Sequence, residues 1–102
     1  MYNNFEQFHE TSDILKALAH PVRLCIVKGL HKNGYCNVGF IQECLRLPQS
    51  TVSQHLQKLR NFGIVKTERN GLEVNYTIAD DRVRQLIQVF FGEDESEFGE
   101  KG

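Results

Sequence analysis

The stretch "LPQSTVSQHLQKLRNFGIV", residues 47–65, passes from a run of hydroxyls and amides into an apolar strand. Ser and Thr are mediocre helix formers because their side chains bond the backbone in non-helical ways. Helix stability is therefore not what selects Ser50, Thr51 and Ser53. Pro48 ends any helix that reaches it, and Gly63 is a natural stop, so a helix is predicted from Gln49 to Asn61. On it Val52, Leu56 and Leu59 fall within about 60° of one another at 100° per residue. With that stripe turned inward, Ser50, Gln54, Gln57 and Lys58 point outward, flanked by Thr51 and Ser53. A merely solvated face would be richer in Glu and Lys. Amides and hydroxyls on an almost acid-free helix can read base edges in a major groove that admits one helix, and can also bond phosphates.

Working outward, "CNVGFIQECLRL" (36–47) predicts a helix carrying Ile41 and Leu45, with room for a short extra strand near Cys36–Val38. Two short helices separated by a tight turn at Pro48 make a helix-turn-helix. In "HPVRLCIVKGLHKNG" (20–34), Pro21 suits a first helical turn, and Val22, Ile26 and Leu30 recur at four-residue spacing. Asn33-Gly34 ends that helix. An earlier helix is predicted from Phe5 to Ala19, with Phe8, Leu15 and Leu18 apolar. Downstream, "IVKTERNGLEVNYTIA" (64–79) alternates apolar and polar residues around Asn70-Gly71, the signature of a two-residue hairpin loop. Asp80-Asp81 supply N-cap chemistry for a last helix with Val83, Leu86, Ile87 and Phe90 on one face. The fold class is mainly α with a β-hairpin wing: a winged helix-turn-helix of order α-α-α-α-β-β-α.

With 102 residues, 40% hydrophobic and 25% charged, the chain suits one small domain with a modest core. Its charge is uneven. Residues 93–102 hold five acids and one base and read as an acidic, disordered tail, leaving eleven bases and eight acids in a domain of residues 1–92. Between Arg46 and Arg69 five bases (Arg46, Lys58, Arg60, Lys66, Arg69) face Glu68 alone. Basic charge surrounds the polar helix. No apolar run approaches the roughly 20 residues that span a bilayer. The start "MYNNFEQFHE" lacks the basic and apolar regions of a signal peptide. Three cysteines without paired spacing fit a reducing cytoplasm better than a disulfide scaffold.

"LKALAHPVRLCIVKGL", the 47–65 stretch and "RNGLEVNYTI" together resemble the winged-helix repressors of the ArsR/SmtB family, over roughly Ile14 to Phe91. The most specific signals are Ser53-x-His55-Leu56 and the Ala19–Arg23 segment. "LPQSTVSQHL" looks most similar to the PagR-like subgroup, which has no recognised metal site. The resemblance implies a homodimeric bacterial repressor on a double-stranded operator with an inverted repeat. Gln49 would begin the recognition helix, and Arg69 to Leu72 would be the wing tip. The first and last helices would form the dimer interface, through Phe8, Leu15, Val83, Leu86, Ile87 and Phe90. The DNA-contacting set is then Gln49, Ser50, Thr51, Ser53, Gln54, Gln57 and Lys58 on the helix, with Lys66, Arg69 and Asn70 on the wing. Pro48 departs from the capping Ser or Thr usual in the family.

His55 lies beside the apolar stripe and is expected to be buried and bonded to backbone. Arg23 is expected to anchor a carboxylate or a helix end. Of the family's metal sites, one would place paired cysteines at Asn37 and Gly39, with Cys36 and Cys44 out of register. The other matches Asp80, but has Arg82, Glu93 and Ser96 where histidines would stand. No metal or other cofactor is expected. Cys25, Cys36 and Cys44 remain as redox positions against the plainer reading of small buried hydrophobes. Three functions compete: a DNA-binding repressor, including a thiol- or ligand-responsive one; a winged helix serving only protein interaction; and an enzyme using Cys36, Cys44 or His55. The basic cluster and the acid-free helix favour the first, and no third group orients a Cys–His pair for catalysis.

Overall fold

Helix α1 (Glu6–Leu18) stops just short of the His20-Pro21 pair, because the residue before a proline is pushed into extended backbone. His20 lies there, at φ −155° and ψ 130°. Helix α2 (Pro21–Asn33) then begins on Pro21, and the His20 imidazole takes the place of a capping hydroxyl, accepting the Val22 N–H at 3.1 Å. The computed structural model describes residues 5–92, and the expected tail at 93–102 lies outside them. Both ends of α1 fall one residue inside the expected span, since Phe5 and Ala19 are its caps.

The extra strand exists as β1 (Cys36–Asn37), one residue shorter than expected. Asn37 explains the difference. Its Oδ1 accepts the Phe40 N–H at 2.8 Å, so Val38 already belongs to α3 (Val38–Leu45). Arg46 ends α3 in left-handed backbone, φ 57°, with its N–H on the Gln42 carbonyl at 2.8 Å. Helix α4 (Gln49–Asn61) follows after Pro48. It closes with two bonds, Ile64 N–H to the Leu59 carbonyl and Gly63 N–H to the Arg60 carbonyl, both 3.0 Å. That is a Schellman motif, and Gly63 at φ 73° supplies its left-handed residue.

Strands β2 (Val65–Asn70) and β3 (Glu73–Ile78) form the wing, and the antiparallel sheet runs in the order β1-β3-β2. Here the hairpin loop departs from expectation. Asn70 pairs with Glu73, so the loop is Gly71-Leu72, one residue later than Asn70-Gly71. Gly71 has φ 68° while Leu72 is not among the positive-φ residues. Only the first loop position needs glycine, the pattern of a type II′ turn, whereas Asn-Gly marks type I′. Helix α5 (Asp81–Phe91) completes the chain.

The core is drawn from every layer: Ala17 and Leu18 of α1, Ile26 and Leu30 of α2, Ile41 of α3, the Val52, Leu56, Leu59 stripe of α4, Ile78 of β3, and Val83 and Ile87 of α5. Truncating one such Leu or Ile to Ala costs about 2–5 kcal/mol. No helix among the described residues is long and apolar enough to cross a membrane.

Candidate nucleic-acid interface

Burying Val52, Leu56 and Leu59 leaves the opposite face of α4 bare. Gln49, Ser50, Ser53, Gln54, Gln57 and Lys58 are exposed on it, and Thr51 is half-buried at its margin. Gln57 is already engaged, donating to Asn61 Oδ1 at 2.8 Å one turn on. Helix α4 has no side-chain cap; its first turn is closed by the Pro48 carbonyl, which accepts from Thr51 at 3.0 Å and Val52 at 3.1 Å. With no acid in its first turn and Lys58 and Arg60 in its last, α4 offers nothing to repel a polyanion. Arg46, exposed in the turn just before α4, belongs to the same basic surface. In the sequence it is one of five bases between positions 46 and 69; the left-handed turn is what sets it beside α4.

The wing is less uniform than its charges suggest. Successive side chains alternate across a strand, so Lys66 and Arg69 leave β2 on opposite faces. Lys66 also faces Glu68 at 3.8 Å, both well exposed, an ion pair of little energetic weight. Arg69 and Asn70 are exposed beside the loop, and Leu72 at its tip is 100% exposed.

His55 sits differently from expectation. It is half-buried, and its Nδ1 lies 3.2 Å from Arg23 Nη1, with no backbone partner among the described residues. The guanidinium already spans from α2 to the end of α1, where Arg23 Nε donates to the Ala17 carbonyl, so its second arm claims the imidazole. Burial first, then the His20 and Arg23 charges, hold His55 below the ordinary histidine value of 6.5.

Asp80, the residue matching one family metal ligand, caps α5 and is gripped by Arg82. The hydrogen bond from Arg82 holds its carboxyl below the usual range. Glu93 and Ser96 lie outside the described residues. Cys36 is buried, while Cys25 and Cys44 are half-buried. Burial, helped by the Glu43 charge, pushes the Cys44 thiol up, away from the reactive thiolate.

On the last helix, Val83 and Ile87 are spent in the protomer's own core, 2% and 1% exposed. Leu86 is half-buried, whereas Phe8, Leu15, Val89 and Phe90 are exposed. The apolar face read from sequence therefore splits: α5 turns one part toward α2 and β3 and leaves the other outside.

Residues 20–67, which run from the cap of α2 through the helix-turn-helix into the wing, match the bacterial regulatory protein, arsR family. The transcriptional repressor PagR of Bacillus anthracis is 42% identical over 85 residues, 83% of this chain and 85% of that protein. The chain belongs to the ArsR family. The crystal structure of PagR superposes with a TM-score of 0.79 at 41% identity, covering 85% of this chain and 99% of that one. The homodimeric winged helix-turn-helix DNA-binding domain of Mb0332 from Mycobacterium bovis superposes at 0.78 with 26% identity, covering 88% and 83%. This ArsR protein is a DNA-binding transcriptional regulator and not an enzyme.

Proposed function

We propose that the chain acts in the cytoplasm as a homodimeric repressor of a small operon. It reads an inverted-repeat operator through α4 and holds the flanking phosphates through the wing, and it needs no metal. The observation that carries this reading is the α4 face itself: six exposed amide, hydroxyl and ammonium side chains, backed by a buried apolar stripe, with no acid among them. Two copies place two such helices on successive turns of a duplex. The exposed Phe8, Leu15 and Phe90, with half-buried Leu86, supply the apolar area that a second copy would cover. Asp80 held by Arg82 supports metal independence, since a cation there must displace a guanidinium. Buried Cys36 and the raised thiol of Cys44 support regulation without thiol chemistry.

The test is a salt-dependent mobility shift on the DNA upstream of the protein's own gene. A sequence-preferring complex that weakens steeply with salt is expected. Equal, feeble binding to every duplex would return the fold to the protein-interaction reading.

A further inference from the structure

Behind the DNA-facing surface, His20, Arg23 and His55 form a cluster of ionisable groups that base reading does not use. All three are half-buried. Arg23 joins three elements: it lies on α2, its Nε donates to the Ala17 carbonyl at the end of α1, and its Nη1 reaches His55 Nδ1 on α4 at 3.2 Å. A guanidinium has donors only, so His55 Nδ1 must be the acceptor and its ring proton sits on Nε2. The His20 ring packs on His55 with centroids 4.6 Å apart, and its own Nδ1 accepts the Val22 N–H. Each imidazole thus serves as an acceptor on the nitrogen that protonation would turn into a donor.

We propose that Arg23 is a positioning residue for operator binding, acting through His55 to seat α4 on the α1–α2 scaffold, and that mild acid undoes this clasp by converting His55 to imidazolium. The proposal rests on α4 being the recognition helix. Protonated His55 would point an N–H at Arg23 Nη1 and add a positive charge beside a guanidinium and a second histidine. Among the described residues its charged and titratable neighbours are His20 and Arg23, both from the α2 segment; α1 contributes the uncharged Ala17 carbonyl. No carboxylate is present in that set to stabilise the new charge. The folded state holds His55 below 6.5, so the stabilisation is present above that value and is lost as the pH falls beneath it. The direction is diagnostic. Protonating histidines ordinarily strengthens binding to a polyanion, because added positive charge favours phosphate contact. The clasp works the other way, and only where α4 must be held in register.

The experiment measures affinity for the upstream duplex and for a scrambled duplex from about pH 7.5 to about pH 5.5, following His55 by NMR and the fold by circular dichroism. Wild-type affinity for the upstream duplex is expected to fall at least about fivefold, at the low end of coupling between linked sites, in step with His55 protonation. Affinity for the scrambled duplex is expected to hold or rise. His55→Gln retains an acceptor for Arg23 but cannot ionise, so it should bind normally at pH 7.5 and lose the acid response. Arg23→Lys, a point donor that cannot bridge both partners, should weaken upstream binding at pH 7.5 while remaining folded. A profile shared by wild type and His55→Gln, or unchanged upstream binding by folded Arg23→Lys, overturns the clasp. Absence of wild-type preference for the upstream duplex at pH 7.5 defeats the recognition-helix reading itself, and the clasp with it.

Discussion

Asp80 and Arg82, two residues apart at the start of α5, are joined by three hydrogen bonds. The Arg82 backbone N–H reaches Asp80 Oδ1 at 2.9 Å, and its Nε and Nη2 reach Oδ1 and Oδ2 at 3.0 and 2.7 Å. The carboxylate therefore caps the helix and receives a two-armed guanidinium at once. Asp80→Ala is expected to destabilise the fold by about 1 kcal/mol, the usual worth of an N-cap, with Asp80→Asn losing less. Because Asp80 titrates below its ordinary 3.8, its contribution persists above that value and disappears as the pH falls beneath it. Thermal melts of both variants across acid pH check the size and the window. One equivalent of zinc, cadmium or arsenite is expected to leave DNA binding unchanged.

The wing loop gives a second prediction. A Cβ added at Gly71 meets nothing within 4 Å, so only its φ of 68° opposes a side chain. Gly71→Val should weaken the hairpin by about 1–2 kcal/mol, the cost of left-handed backbone for an ordinary residue, and Gly71→Asn should cost less. Amide exchange in β2 and β3 reads the difference. Equal protection in all three proteins would show that the loop is not strained.

Gln54 and Arg69 should divide the DNA contacts by kind. An outward amide at the middle of α4 can pair bidentately with adenine, worth roughly 1–3 kcal/mol of discrimination. Gln54→Ala is thus expected to reduce binding to the upstream duplex far more than to a scrambled one, with the salt slope nearly intact. Arg69→Ala is expected to weaken both and to flatten the salt slope by about one phosphate contact. Equal losses on both duplexes for Gln54→Ala would make α4 a phosphate-binding face.

Phe90 is 72% exposed and Leu15 50%. Sedimentation at micromolar concentration should find a dimer, and Phe90→Asp should shift it toward monomer while lowering DNA affinity with it. A wild-type monomer under those conditions would remove the two-half-site geometry.

The thiols should be quiet. Cys36 is 0% exposed, and Cys44 has its thiol pushed up by burial and Glu43. Alkylation of the folded protein at neutral pH is expected to be slow at both. Cys25→Ser, Cys36→Ser and Cys44→Ser should each leave DNA binding under oxidant unchanged. Fast alkylation of Cys44, or loss of an oxidant response in any variant, would restore the redox reading.

Patterns confined to a few neighbouring residues were legible in the sequence. The Val52, Leu56, Leu59 stripe, Pro48 and Gly63 set α4, and the outward amides and hydroxyls followed from geometry alone. The hairpin was legible but its loop was not, because Asn-Gly and Gly-Leu each offer a glycine and only strand register decides between them. Val83 and Ile87 read as one face with Phe90, yet the packing of α5 against α2 and β3 divides that face. The partner of His55 was out of reach for another reason. Arg23 is 32 residues away, and the pairing depends on how α2 crosses α4. Two motifs, Ala19–Arg23 and Ser53–Leu56, held its halves without stating that they meet.

Asn37 pairs with Asn75 of the wing, caps α3, and sends its Nδ2 to Glu73 Oε2 at 3.0 Å. A single residue therefore ties the wing to the helix that precedes α4. Moving the wing against α3 would have to break this junction, so on the proposed reading, with α4 and the wing both on DNA, it opposes any change in the spacing between the two contacts. A double helix whose adjacent grooves do not already match that spacing must itself twist or bend to be gripped. Sequences that deform easily at that step would then be favoured at base pairs no side chain touches.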